Sequence, residues 1–336
     1  MKRLLTSAML ALMTVQSGMP CIMLAPGTAL PGQAYIEAAN PFLHLIVAIK
    51  RISPTTGFVD YATGIKIGPN QILTAAHVVD ALGGSFNSPA NLSVLTGHNF
   101  LSPTQNVSVA FYRVHPSYIQ GSGLGTGSQI DLAVIHTTIA MDGPYAVIGT
   151  SPLANGNILT MIGAGRPGFL GGILDPYDGN FRACRGSLVN PTSQFDNLYY
   201  NGLNASGSSS FSLPGGGSLG CSGGAGFTAN NEVVFLITSG AYGGSSVRTI
   251  GVDLTNPEIH NFIASEPPKL TLTVSPTTAQ LSFADLIRNR QYRVMRSSAL
   301  TAWTESHRFT AASDTATWSE SLATSGKMFY RLEWDE

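Results

Sequence analysis

The sequence predicts an all-β protein with a small second β unit at its C-terminal end, and three observations carry that prediction. Apolar runs of four to eight residues, rich in Val, Ile and Thr, recur between Gly, Pro, Asn and Ser. Only "NPEIHNFIAS" reads firmly as helix: Asn256 caps it, Pro257 suits its first turn, and Ile259, Phe262 and Ile263 share one face. After "EPPK" at 266–269, a linker by composition, strict alternation resumes in "LTLTV" and continues through "QYRVMRS" and "MFYRLEW".

In chain order, Lys2 and Arg3 precede an apolar run from Leu4 to Val15. That is the shape of a secretory signal, too short to span a bilayer. Small residues mark cleavage after 17 or after 29, and both sites stand. No later run is apolar enough for stable membrane insertion, so the expected location is secreted or periplasmic. The strands follow: "HLIVAIKRI", "YATGIKIG", "NQILTAA", "LSVLTG", "NVSVAFYRV" and "IDLAVIHT" come first. Then come "GNILTMIG", "EVVFLITSG" and "VRTIGVDL". The net charge is −1 and 11% of residues are charged, which leaves no basic footprint for nucleic acid. Of the three cysteines, Cys21 is lost on cleavage after 29, leaving Cys184 and Cys221 as an even pair. Cleavage after 17 leaves an odd thiol.

Three motifs carry chemistry, in the order His, Asp, Ser: "LTAAHVV" with His77, "IDLAVI" with Asp131 and "GCSGGAG" with Ser222. Each gap is too long for local structure, so only a fold can unite them. A serine hydroxyl needs an imidazole to take its proton, and a buried carboxylate must hold that imidazole in one tautomer. The glycines around Ser222 let the N–H groups of Gly220 and Ser222 converge on one developing oxyanion. No metal or organic cofactor is called for. The histidines at 44, 98, 115, 136, 260 and 307 never pair at metal-ligand spacing, and His136 reads as a surface residue.

These motifs resemble the chymotrypsin-like (trypsin-fold) serine proteases. "GIKIGPNQILTAAHVV" is similar to the family's strand into "LTAAH", "DLAVI" to "DIALL" and "MIGAGRPG" to its "GWG" segment. "LITSGAYGG" is similar to its substrate strand and "TNPEIHNFI" to its terminal helix. The resemblance covers roughly 36–265. It implies two six-stranded antiparallel β-barrels, 30–150 with His77 and Asp131 and 151–265 with Ser222. It also implies a short C-terminal helix and endopeptidase activity on polypeptides. With it, residues 270–336 form an accessory β-sandwich-like domain.

The family's acid before the nucleophile, where present, pairs with an N-terminal amine freed by activation. Cys221 stands there instead, and no "IVGG"-like start occurs near "HLIVAIK". Two readings of Cys221 stand: a disulfide to Cys184 that braces the oxyanion loop, or a buried thiol filling the acid's space. The resemblance assigns Gly216 and Gly217 to the pocket floor, Thr238, Ser239 and Gly240 to its edge strand, and Gly251 to its back. No charge lies among them, which implies cleavage after uncharged residues.

Rival readings remain. "GCSGG" fits the G-x-S-x-G elbow of α/β-hydrolases, with Asp253 and His260 following in that fold's order, which would make an esterase. The elbow needs a strand running into a helix, whereas "GGAGFTANNEVV" reads as turn and strand. "GAGRPG" at 163–168 matches a dinucleotide fingerprint, but Pro167 forbids the helix it requires. "GSGLGTGS" at 121–128 lacks the Lys-Ser/Thr ending of a phosphate loop and reads as an insertion. A catalytically inactive binding protein on a protease fold is the other alternative. The tail resembles small C-terminal β domains of secreted bacterial proteins. Its Tyr292, Trp303 and Tyr330 read as sandwich core, with carbohydrate or surface docking through 270–336 as the alternative.

Overall fold

A computed structural model of the chain describes residues 23–24, 32–80, 88–119, 130–169, 176–189, 197–204, 213, 215–217, 220–243 and 246–265. It further describes 269–284, 286, 291–299, 302–313, 315–321 and 327–334. The leader up to residue 22 with Cys21, the 121–128 stretch and residues 266–268 lie outside the described residues. The chain enters through a two-residue strand, β1 (Met23–Leu24), within the stretch that reads as leader, and helix α1 (Gly32–Ala39). The sequence gives little notice of α1. Only Tyr35 and Ala39 are buried, so its apolar stripe is too short to show a period.

Six strands then close a barrel: β2 (Ile46–Ile52), β3 (Val59–Gly68), β4 (Gln71–Thr74), β5 (Leu92–Thr96), β6 (Gln105–Val114) and β7 (Ala133–Thr137). A four-residue helix, α2 (Ala76–Val79), follows β4. The barrel order is β2-β3-β4-β7-β6-β5, antiparallel throughout, with β5 returning to β2. Val and Ile at alternate positions fill it, with Val47, Ile49, Ile72, Val94, Val107 and Ile135 among its buried residues.

The second half supplies β8 (Ile158–Gly163), the short β9 (Gly168–Phe169), β10 (Arg182–Val189), β11 (Asn197–Asn204), β12 (Ala225–Phe227), β13 (Val233–Gly243) and β14 (Ser246–Asp253). Strand β9 pairs in parallel with β1. The other six close a second antiparallel barrel, β10-β11-β14-β13-β12-β8. Helix α3 (Pro257–Ala264) ends this half, with the Asn256 side chain accepting from the Glu258 N–H as the sequence predicts.

The two barrels share one core. Ile46, Ile65, Leu73 and Val134 of the first join Ile162, Ala225, Phe227 and Leu236 of the second, with Ile259 and Phe262 of α3. An aromatic group also crosses the junction: Tyr61 lies 5.1 Å from both Phe100 and Tyr177, and Phe100 lies 5.6 Å from Phe181. Arg113 of β6 donates to the Phe262 carbonyl (3.1 Å) and to Ser265 Oγ (2.7 Å), so the first barrel holds the last turn of α3. His136 departs from its expected surface position. It is buried on β7, stacked 4.3 Å from Phe111, and its Nε2 accepts from Arg113 Nε at 3.4 Å.

Lys269, read from composition as linker, already belongs to β15 (Lys269–Val274). With β16 (Thr278–Ala284), β17 (Gln291–Ser297), β18 (Thr304–Thr310), β19 (Ala316–Ser321) and β20 (Phe329–Trp334), it makes two three-stranded antiparallel sheets, β15-β16-β19 and β18-β17-β20. Leu281 and Phe283 of one sheet share a buried cluster with Tyr292 and Val294 of the other, which is sandwich packing. Tyr292 is fully buried. Tyr330 is half-buried and hydrogen-bonded to Glu320, and Trp303 is half-buried under the Arg331 guanidinium, 4.3 Å from its centre.

Candidate active site

The three motif residues meet. His77 is the second residue of α2, Asp131 lies two residues before β7, and Ser222 occupies the turn before β12. Asp131 accepts from His77 Nδ1 at 2.7 Å through Oδ2 and from the His77 backbone N–H at 3.0 Å through Oδ1. Both carboxylate oxygens therefore fix one residue. With Nδ1–H committed to Asp131, Nε2 is left as an acceptor, and it lies 2.8 Å from Ser222 Oγ. Asp131 is buried, whereas His77 and Ser222 are half-buried, so the carboxylate is sheltered while the imidazole and hydroxyl are open to solvent.

Ser222 stands between backbone positions only glycine adopts easily. Gly220 has φ +95° and Gly223 has φ +83°. A Cβ on Gly223 would lie 2.1 Å from the Thr63 carbonyl oxygen and 2.2 Å from Thr74 Oγ1. One on Gly220 would press on Gly165 and the Tyr177 ring at 3.0 Å. Tyr177 is itself pinned to the first barrel, donating to Asp60 Oδ1 at 2.8 Å, and Asp60 is also ion-paired with Arg51. Burial, then the Asp60 charge, push the Tyr177 phenol well above its usual range and keep it a donor. The Gly223 N–H donates to the Ile237 carbonyl and the Gly224 N–H to that of Cys221. The N–H groups of Gly220 and Ser222 have no backbone acceptor among the described residues.

The expected Cys184–Cys221 bridge is not formed. Both residues are 1% exposed in the same apolar cluster, but Cys184 remains a free thiol. It lies on β10 beneath α1, with Tyr35 as its electrostatic neighbour. Burial drives its thiol far above the usual range.

The residues assigned to the substrate pocket fall near one another, with one change. Thr238, Ser239 and Gly240 lie on β13, and the Thr238 carbonyl is 3.5 Å from Ser222 Oγ. Gly216 and Gly217 are buried, and the Gly217 N–H donates to Thr249 Oγ1 at 2.8 Å. Gly251 does not open onto them, because a Cβ there would meet the Leu236 carbonyl oxygen at 2.1 Å and the Phe235 ring at 2.6 Å. Thr249, two residues earlier on β14 and paired with Gly240, is the β14 side chain that bonds Gly217. Sequence reasoning missed it by one alternation. It also missed Thr63 and Thr74, whose signal was a hydroxyl in an apolar strand, a group that burial obliges to find a partner.

The residues of the hydrolase elbow are occupied elsewhere. Asp253 accepts from the N–H and hydroxyl of Thr255, and His260 Nε2 lies 3.2 Å from the Gly149 carbonyl oxygen. Ser222 precedes a three-residue strand rather than a helix, so that rival fails on fold and geometry.

No curated protein matches the chain. Among solved structures it is similar to a Glu endopeptidase, at 19% identity over 64% of this chain and 87% of that one, with a TM-score of 0.45. It is also similar to mouse neuropsin, at 15% identity over 63% and 90% of the two chains, with a TM-score of 0.48. The family model for trypsin matches residues 46–263, from the first strand of the first barrel into α3. The chain belongs to the trypsin family of serine proteases.

Proposed function

We propose that this chain is an exported serine endopeptidase that cleaves polypeptides after uncharged residues through an acyl-enzyme. The supporting observation is the unbroken relay from Asp131 through His77 to Ser222, at 2.7 and 2.8 Å. Ser222 Oγ attacks the scissile carbonyl carbon while its proton passes to His77 Nε2. The imidazolium so formed is held by Asp131 and returns the proton to the leaving amine. Water then attacks the acyl carbon and gives its proton to His77 Nε2, which passes it to Ser222 Oγ as the Oγ–acyl bond breaks and the acid leaves. The negative charge on the carbonyl oxygen at both steps falls to the N–H groups of Gly220 and Ser222. Gly216, Gly217, Thr238, Ser239, Gly240 and Thr249 carry no charge to pair with an acidic or basic side chain, which supports the uncharged preference.

Labelling with a fluorophosphonate, which requires an activated serine, tests the proposal. The mature wild-type protein is expected to label, Ser222→Ala and His77→Ala to lose the label, and His260→Ala to keep it. An unlabelled wild-type protein would overturn the peptidase reading in favour of a binding protein on a protease fold.

A further inference from the structure

We propose that Thr63, on β3 of the first barrel, is a positioning residue for the oxyanion loop of the second; this rests on the peptidase reading above. Thr63 is fully buried, and each of its polar groups has a partner. Its hydroxyl donates to the Gly220 carbonyl at 2.7 Å and accepts the Ala164 N–H at 2.9 Å. Its backbone N–H donates to the Ser222 carbonyl at 2.9 Å. Its own carbonyl accepts from Thr74 Oγ1 at 2.8 Å, which fixes Thr63 against β4, the strand leading to His77.

Consider the loop from its own side. The carbonyls of Gly220, Cys221 and Ser222 are engaged in turn by Thr63 Oγ1, by the Gly224 N–H and by the Thr63 N–H. Thr63 therefore holds the outer two of three successive carbonyls. Gly220 at φ +95° lacks the Cβ that would restrict its rotation, so nothing intrinsic to the residue keeps its peptide planes in place. An oxyanion donor counts only when it is aimed before the charge develops. The Thr63 hydroxyl fixes the 220–221 peptide unit and the Thr63 N–H the 222–223 unit. The unit carrying the Ser222 N–H is thus held from both sides, and the one carrying the Gly220 N–H from its C-terminal side. Since Thr63 lies on β3 and His77 on α2, just after the neighbouring strand β4, the same barrel sets the base and the electrostatic trap.

The test uses the full chain as wild type, Thr63→Val, Thr63→Ala and Thr63→Ser, assayed well below each melting temperature. Valine keeps the shape and removes the hydroxyl, and alanine serves if valine does not fold. Both are expected to lower kcat on a peptide p-nitroanilide about 100-fold, the loss typical of one misplaced oxyanion donor, with KM within about threefold. Serine is expected to restore kcat to within about fivefold. Hydrogen exchange over 220–224 is read in parallel and is expected to quicken in Val and Ala but not in Ser. A hydroxyl-free variant with kcat within about threefold of wild type, or unchanged exchange in this loop, would overturn the proposal. Should the wild type fail to label with fluorophosphonate, the peptidase reading falls. The exchange comparison then decides the bracing role alone.

Discussion

The two barrels share a strand count and closure but divide the work differently. The first is regular: its strands alternate cleanly, and His77 and Asp131 stand beside strand ends within a buried apolar lattice. The second carries Ser222 in a turn with two positive-φ glycines, tied to its own β13 at Gly223 and Gly224 but, among the described residues, by no backbone bond at Gly220 or Ser222. What the turn lacks, the first barrel supplies. Thr63, Thr74 and the Tyr177–Asp60 bond all reach across the junction to the Ser222 turn. The difference teaches that the conformation of the Ser222 turn is a property of the interface rather than of the barrel that contains it.

The largest expected effects break the relay on the regular side. His77→Ala is expected to lower kcat about a millionfold and Asp131→Asn about ten-thousandfold, the second by favouring the wrong tautomer. Steady-state hydrolysis with titration of labelled sites checks both. Next is the junction itself. Gly223→Ala places a methyl 2.1 Å from the Thr63 oxygen at a φ that L-residues resist, and is expected to abolish labelling while circular dichroism keeps its β signature.

A smaller effect sharpens the comparison in the irregular barrel. Thr249→Ala removes the acceptor of the Gly217 N–H and clears volume beside it. About a tenfold rise in preference for phenylalanine over alanine at the cleaved residue is expected, read as the ratio of kcat/KM on paired peptides. The smallest concerns Tyr35, whose phenol is pushed up to about 12 by burial and then by Cys184. In the unfolded chain it ionises near pH 10, so above that pH the unfolded state holds fewer protons and stability falls until about pH 12. Tyr35→Phe is expected to flatten that decline in melts taken between pH 10 and 12.

How much of this was legible depended on the range over which each feature is encoded. The strands of the first barrel announce themselves because alternating Val and Ile needs only a few neighbours to be recognised. Strand β10, with Arg182, Arg185 and Gly186 interrupting its apolar positions, does not, and neither does the three-residue β12. Each motif residue is likewise announced by its immediate flanks. Thr63 is 157 residues from Gly220, and nothing in "YATGIKIG" names its partner. The cysteines misled for a related reason. Composition showed two thiols in one half of the chain, but only the fold shows that Cys184 lies beneath α1 with its thiol unbonded.

That solitary sulfur has a use as a clock. While the barrel is shut, Cys184 behaves as a small hydrocarbon: a group 1% exposed and so reluctant to ionise offers alkylating reagents no nucleophile. Once the strand bearing it swings clear, the same atom becomes an ordinary reactive thiol. The pace at which a maleimide marks the peptide containing Cys184 thus reports how often the second barrel breathes, without added dye or engineered probe.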